Sequence, residues 1–252
     1  MSLASAPSPP VPAWRTYRVE SFGGTVTKGP SYSIKYIVDE AAPATLWGIT
    51  TERISWCIVS SPSGSGKTTF LEQLYHRLVD GPEGVKLNFS FAPDIDRLDS
   101  TITGYVPQNP PMVNHWPVSA LVRQNSPYLR ILFPDDMSER FFGRRLGELS
   151  GGQKRKIYAC STLDRLASRG VRSAFLLLDE TFDGLGEVEA ARCLEGIGRE
   201  WNEKQSGSLH LLLVSHLGKT TLADRLSGER WVSLNVEHSS AKELIVQISS
   251  QL

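Results

Sequence analysis

Apolar and polar positions divide the chain into short runs whose period switches between two and about 3.6 residues. Thr16–Phe22 and Tyr32–Val38 alternate polar with apolar or aromatic residues, and Gly23–Gly24 and Gly29–Pro30 punctuate them. That pattern predicts antiparallel β-structure. Ile54–Val59 is a continuous apolar run closed by Ser60–Ser61–Pro62, as for a buried strand entering a loop. Thr68–Val79 then carries Phe70, Leu71, Leu74 and Leu78 at helical spacing. Val85–Phe91 and Ile102–Val106 are further strands by the same criteria. From Pro107 to Leu149 prolines are dense and short helical pieces alternate with breaks, which predicts an inserted, mostly helical lobe over about 109–149. Gly151–Ser168 reads as a helix, Phe175–Leu178 as an apolar strand ending in Asp179–Glu180, and Glu187–Glu203 as a second long helix. The strand Leu209–Val214 runs into Ser215–His216, and Trp231–Asn235 and Leu244–Ile248 close the chain as strands. Strands alternating with helices predict a mostly parallel α/β sheet with function at the carboxyl ends of its strands.

Composition narrows this picture. A length of 252 residues suits one α/β domain with a small lobe, and 40% hydrophobic residues suffice for a core. Residues 1–13 are rich in Pro, Ser and Ala and read as a disordered tail, leaving 14–252 as a single domain. Twenty-seven Lys and Arg balance 27 Asp and Glu, which argues against binding nucleic acid through phosphate neutralisation alone. Arg144, Arg145, Lys154, Arg155 and Lys156 form one basic group, read more simply as a solvated helix face. Cys57, Cys160 and Cys193 are too scattered for a metal knuckle or a disulfide framework, which fits a reducing cytosolic setting. No apolar stretch approaches the roughly 20 residues of a membrane span, so action at a membrane requires a partner that spans it.

The chemistry begins at residues 61–69, SPSGSGKTT, between a strand and a helix. A phosphate-binding loop needs glycines so that backbone N–H groups converge on one anion. It also needs a lysine that reaches the outer phosphates and a hydroxyl for Mg²⁺. Ser63, Gly64, Ser65, Gly66, Lys67, Thr68 and Thr69 supply these groups, and the helix that follows aims its positive end at the phosphates. The first position of the pattern, ordinarily glycine, is Ser61, which a backbone with negative φ accommodates. Asp179 and Glu180 place two carboxylates at the end of a buried strand, one suited to hold Mg²⁺ and the other to polarise an attacking water. His216 ends an apolar strand, while His76, His115, His210 and His238 have no ligand spacing.

At 149–156 the chain reads LSGGQKRK, and here it resembles the ATP-binding domains of the ABC family, whose signature loop is LSGGQ. The resemblance covers nearly all of the chain after the tail. It takes in, in order, the phosphate loop, Gln108 in GYVPQNP, the signature, LLLDE ending at Glu180 and VSH ending at His216. It implies ATP hydrolysis to ADP and phosphate by a homodimer or heterodimer that sandwiches ATP. Ser150, Gly151, Gly152 and Gln153 of one subunit would then meet the γ-phosphate held by the other. It further implies Glu180 as general base and Gln108 as a Mg²⁺ or water contact. Asp179 and Thr68 would hold Mg²⁺, and His216 would sense the γ-phosphate. An aromatic ring stacks on adenine in such domains; Tyr36 is the first choice, with Tyr32 and Trp47 as competitors.

Two departures stand out. DETFDGLG at 179–186 places Gly186 where the family commonly has an aspartate that contacts the other subunit, and Asp183 lies three residues too early. The stretch around Asp164–Ser173 is longer than in most transporter domains, as in soluble DNA-repair and chromosome-organising relatives. The short lobe matches transporters better. The leading expectation is a transporter's motor subunit, cytoplasmic and peripheral at the inner face of the cell membrane, bound to a separate membrane-spanning subunit. The alternatives are a soluble ATPase acting on nucleic acid or a protein complex, and an ATP-dependent switch.

Overall fold

A computed structural model describes residues 14–18, 33–39, 54–59, 61–80, 101–134, 139–170, 173–215, 231–240 and 243–251. In chain order the strands are β1 (Trp14–Arg18), β2 (Ser33–Asp39), β3 (Ile54–Val59), β4 (Thr101–Val106), β5 (Ser173–Asp179), β6 (Ser208–Val214), β7 (Trp231–Ser240) and β8 (Glu243–Gln251). The helices are α1 (Lys67–Asp80), α2 (Pro127–Leu132), α3 (Glu139–Gly143), α4 (Gly151–Ala167) and α5 (Glu187–Lys204).

All eight strands join one sheet in the order β1-β2-β8-β7-β3-β6-β5-β4. From β7 to β4 every pairing is parallel, so the ends of β3, β4, β5 and β6 lie on one side of the molecule. The expected antiparallel strands are present as the pair β1–β2; β7 and β8 form a second antiparallel pair, and a parallel β2–β8 pairing joins the two pairs in the same sheet. Parallel strands covered on both faces read as continuous apolar runs. Accordingly Ala174–Leu178 is wholly buried, as is Leu211–Val214.

Glycine sets one close approach. A Cβ at Gly104 on β4 would stand 2.5 Å from Thr162 Cγ2 of α4, so only glycine lets that helix lie so near the sheet. Gly196 of α5 does the same for Ile131 of α2, at 2.8 Å.

Among the described residues of the inserted lobe the helices are short, because prolines and glycines interrupt them. Ser126 caps α2 by accepting from Leu129 N–H, with Pro127 at the first helical position. Two 3₁₀ turns, Val118–Ala120 and Leu146–Glu148, complete the described part. Phe133, Phe141 and Phe142 pack together, with ring centroids 5.1 and 5.9 Å apart along the series. Lys156 of α4 sits over Phe133 at 4.6 Å, and Arg144 donates to the Glu148 carbonyl at 2.9 Å. Part of the basic group therefore serves intrachain contacts. His210, stacked on Phe175 at 4.8 Å, is a core imidazole that burial pushes down to about 4.

Several bounds differ from the sequence reading. The first strand begins at Trp14 and is described to Arg18, and residues 19–22 and Val85–Phe91 lie outside the described residues. β7 and β8 extend beyond Asn235 and Ile248 because they pair as an antiparallel hairpin, so polar side chains continue a ladder that apolar runs alone did not reveal. The extra length after the signature forms the last turn of α4, its cap at Ser168 and a turn at Gly170 with φ +58°.

Candidate functional site

The loop after β3 turns on Gly64 and Gly66, at φ +79° and +96°, a region open to glycine and strained for other residues. Ser61 has no positive φ, so serine is compatible with the first loop position. Phe70 N–H donates to the Gly66 carbonyl at 2.8 Å, which starts α1 directly from the loop. Lys67, only 5% exposed, donates from Nζ to the carbonyls of Ser61 (2.7 Å) and Pro62 (2.9 Å). Its charge is thus held over the mouth of the loop. Ser63 is exposed, Thr68 and Thr69 are half-buried, and the Ser65 hydroxyl is buried without a hydrogen-bond partner.

Asp179 ends β5 and is fully buried, and its carboxylate makes no close hydrogen bond, only looser contacts with the Thr68 hydroxyl, the Gln108 backbone and the Tyr105 hydroxyl. Burial raises its pKa, and the charges of Glu180 and Glu72 add to the rise; Thr68 beside it works in the opposite direction. Buried polar groups are nearly always well paired, and a buried carboxylate that lacks a close hydrogen bond and has a hydroxyl beside it has the donor chemistry to hold a cation. Asp179 with Thr68 fits Mg²⁺ on that ground. Two groups the sequence reading missed belong here. The Thr181 hydroxyl is buried without a partner, and the Tyr105 phenol, raised by burial first and then by the charge of Asp179, lies close to that carboxylate. No motif singles them out.

The same buried carboxylate has a measurable cost. A carboxyl whose folded pKa is raised contributes stability that is present below the unfolded pKa and lost as pH rises through the folded value. Asp179→Asn cannot ionise and escapes that loss. In thermal melts with a metal chelator at neutral pH, we expect the variant to melt at a higher temperature than the wild type. The gain should vanish below the ordinary carboxylate range. With Mg²⁺ and ATP the order should reverse, since the variant loses the group that binds the ion.

Glu180 follows at φ +49°, the left-handed region, and among the described residues it is the only non-glycine there. Such strain persists where the surroundings hold it, and here its N–H donates to the Val214 carbonyl of β6 at 3.0 Å. Gln108, at the end of β4, donates from Nε2 to the Glu180 carboxylate. The two residues assigned to the reacting water are therefore in direct contact. Ser215, at the end of β6, donates to Asp183 at 3.4 Å. Asp183 is thus tied into its own chain, three residues ahead of Gly186. Gly186 is the N-cap of α5 and offers no side-chain cap. His216, Tyr32 and Trp47 lie outside the described residues, and Tyr36 occupies the β2 position between Tyr17 of β1 and Val246 of β8.

The signature forms the start of α4. Ser150 Oγ accepts from Gln153 N–H at 3.2 Å, and Ser150 N–H donates to Gln153 Oε1 at 3.1 Å. This reciprocal capping box is legible as S-x-x-Q, a signal the family motif had obscured. Ser150 and Gly151 are exposed, so the positive end of a 17-residue helix faces outward.

No protein-family model matches the chain, and no curated protein does. Solved structures do. An ATP-binding subunit of an ABC transporter aligns over 73% of this chain and 75% of its own, at 16% identity and a TM-score of 0.43. An ATP-binding cassette dimer in a post-hydrolysis state with ADP and Pi aligns over 73% and 83%, at 20% identity and 0.45. A bacterial ABC exporter with ATP bound aligns over 89% of this chain and 36% of its own, at 16% identity and 0.47. These structures come from the family that the motifs resemble.

Proposed function

We propose that the chain binds and hydrolyses ATP as an ABC-type domain, two of which sandwich the nucleotide. The observation that carries this reading is the buried Asp179 carboxylate, beside Thr68 and without a close hydrogen bond, next to a loop whose lysine is held on its own carbonyls. On binding, Lys67 Nζ exchanges the two loop carbonyls for β- and γ-phosphate oxygens, and the N–H groups around Gly64 and Gly66 orient the chain of phosphates. Asp179 and Thr68, with Gln108, would hold Mg²⁺, which when bound supplies charge neutralisation to those oxygens. Glu180 accepts the proton of the attacking water on its carboxylate, and Gln108, now bonded to it, orients that water. His216 would contact the γ-phosphate. The outward-facing start of α4, with Ser150, Gly151, Gly152 and Gln153, would close the site of a second chain, and Tyr36 would stack on adenine.

The finer reading is a transporter motor working with a membrane-spanning subunit at the inner face of the cell membrane. In this reading the membrane-spanning subunit would be gripped by the lobe, where Trp116 and Val113 are exposed. Phe141, also a lobe residue, is buried and supports the lobe's interior instead. Among the described residues no helix is long and apolar enough to cross a membrane. The test is phosphate release from ATP by the purified chain, together with ATP-dependent dimers on a sizing column. Absence of both would remove the proposal. Salt-sensitive DNA binding with stimulated turnover, and no co-purifying membrane protein, would move the role to a soluble ATPase.

A further inference from the structure

Ser61 stands where the phosphate-loop pattern has glycine, and its side chain is engaged rather than merely tolerated. Its hydroxyl donates to Asn235 Oδ1 at 2.7 Å and accepts from Val236 N–H at 2.6 Å, both on β7. Asn235 Nδ2 in turn donates to Glu237 at 3.1 Å, which fixes the amide so that its oxygen faces Ser61. The carbonyl of the same Ser61 accepts from Lys67 Nζ at 2.7 Å. One residue thus ties the start of the loop to β7 through its side chain and carries the catalytic lysine's resting contact on its backbone.

The tie reaches further through the sheet. Val236 is in register with Val246 of β8, and Val246 with Tyr36 of β2. A single row of backbone partners therefore runs from Tyr36 across two strand pairings to the amide that bonds Ser61. Strands in register move as a unit, whereas a glycine-bearing loop has no such anchor.

We infer that Ser61 is a positioning residue for ATP: its hydroxyl fixes the phosphate loop in register with β7 and, through β8, with β2. This rests on the ATP-binding reading above. A glycine at this place would leave the loop's entry free to shift, and ordering it would be charged against nucleotide affinity. The hydroxyl supplies that order before ATP arrives.

The test compares Ser61→Ala, Ser61→Gly, Ser61→Thr and Asn235→Ala, with Lys67→Ala as a control, by MgATP titration calorimetry, steady-state turnover and thermal melts. Ser61→Ala and Ser61→Gly should raise Kd and KM for ATP about 5- to 10-fold, and raise KM more than they lower kcat. Ser61→Thr, which keeps the hydroxyl, should recover most of the affinity. Asn235→Ala breaks only one of the two contacts of the Ser61 hydroxyl and should weaken binding less, and adding it to Ser61→Ala should cost nothing more, because Ser61→Ala already removes that contact. A purely structural role would lower the melting temperature of Ser61→Ala with Kd and KM unchanged, and that result would overturn the inference. So would full affinity in Ser61→Gly, or additive losses in the double variant. If Lys67→Ala also binds ATP normally, or the wild-type chain binds none, the phosphate-loop reading itself falls and the inference with it. If only Lys67→Ala fails, the loop reading stands and Ser61 has no such role.

Discussion

Glu180→Gln is expected to slow ATP turnover by roughly 10²- to 10⁴-fold while MgATP still binds. The substitution keeps the shape of the side chain, and its amide oxygen can still accept the hydrogen bond that Gln108 now gives the carboxylate. The left-handed backbone at this position is no harder for glutamine than for glutamate, so the fold should not register the change. Only the capacity to take a proton from water is removed. Bound ATP then persists, and the two-chain complex it holds together should accumulate on a sizing column. Single-turnover measurements would separate this chemical block from slow product release. Turnover at the wild-type rate would exclude Glu180 as the base.

Lys67→Ala acts one step earlier. The ammonium is nearly buried and its three donors can engage two phosphates at once, and charge-assisted hydrogen bonds of this kind each contribute about 1.5–3 kcal/mol. Losing them should weaken MgATP by roughly 10²-fold or more. Without nucleotide the same variant leaves the Ser61 and Pro62 carbonyls without the donor they have now, so a modest drop in stability should accompany the loss of binding. Calorimetry reads the first effect and thermal melting the second. Undiminished affinity would place the phosphates elsewhere.

These two residues were legible in the sequence because their chemistry is local. SPSGSGKTT lies between a strand and a helix, and Asp179–Glu180 ends a run too apolar to be anything but a buried strand. The parallel core was readable for the same reason, since β3, β5 and β6 are covered on both faces and carry continuous apolar runs. What the sequence did not disclose depends on contacts between distant segments. Ser61 and Asn235 are 174 positions apart, and nothing at either position announces the other. The strained backbone of Glu180 comes from its place between β5 and β6, not from its residue type. β7 and β8 were read short because half of a two-sided hairpin is polar. Within the lobe Pro127 starts α2 at its first helical position, a local signal of the same kind as the phosphate loop.

Under the proposed two-chain site, Gly186 stands where the resembled family commonly has an aspartate that contacts the other subunit. Its backbone is extended at φ −67° and no atom lies within 4 Å of a Cβ built there, so the position accepts a side chain sterically. Asp183 does not fill that role from its present place, because it accepts from Ser215 of its own chain.

Mixing two inactive variants tests most directly whether each ATP site is built from two chains. Lys67→Ala spoils a chain's own phosphate loop and spares its signature, while Ser150→Arg puts a bulky cation at the exposed start of α4 and spares the loop. Each variant alone forms only defective sites. In the mixture, dimers that pair the intact loop of one chain with the intact signature of the other hold one complete site and one doubly broken site. The account predicts ATP-dependent dimers in the mixture that neither variant gives alone, with part of the wild-type turnover restored. If wild-type chains show ATP-dependent dimers and turnover under the same conditions and the mixture restores neither, the two-chain site is contradicted.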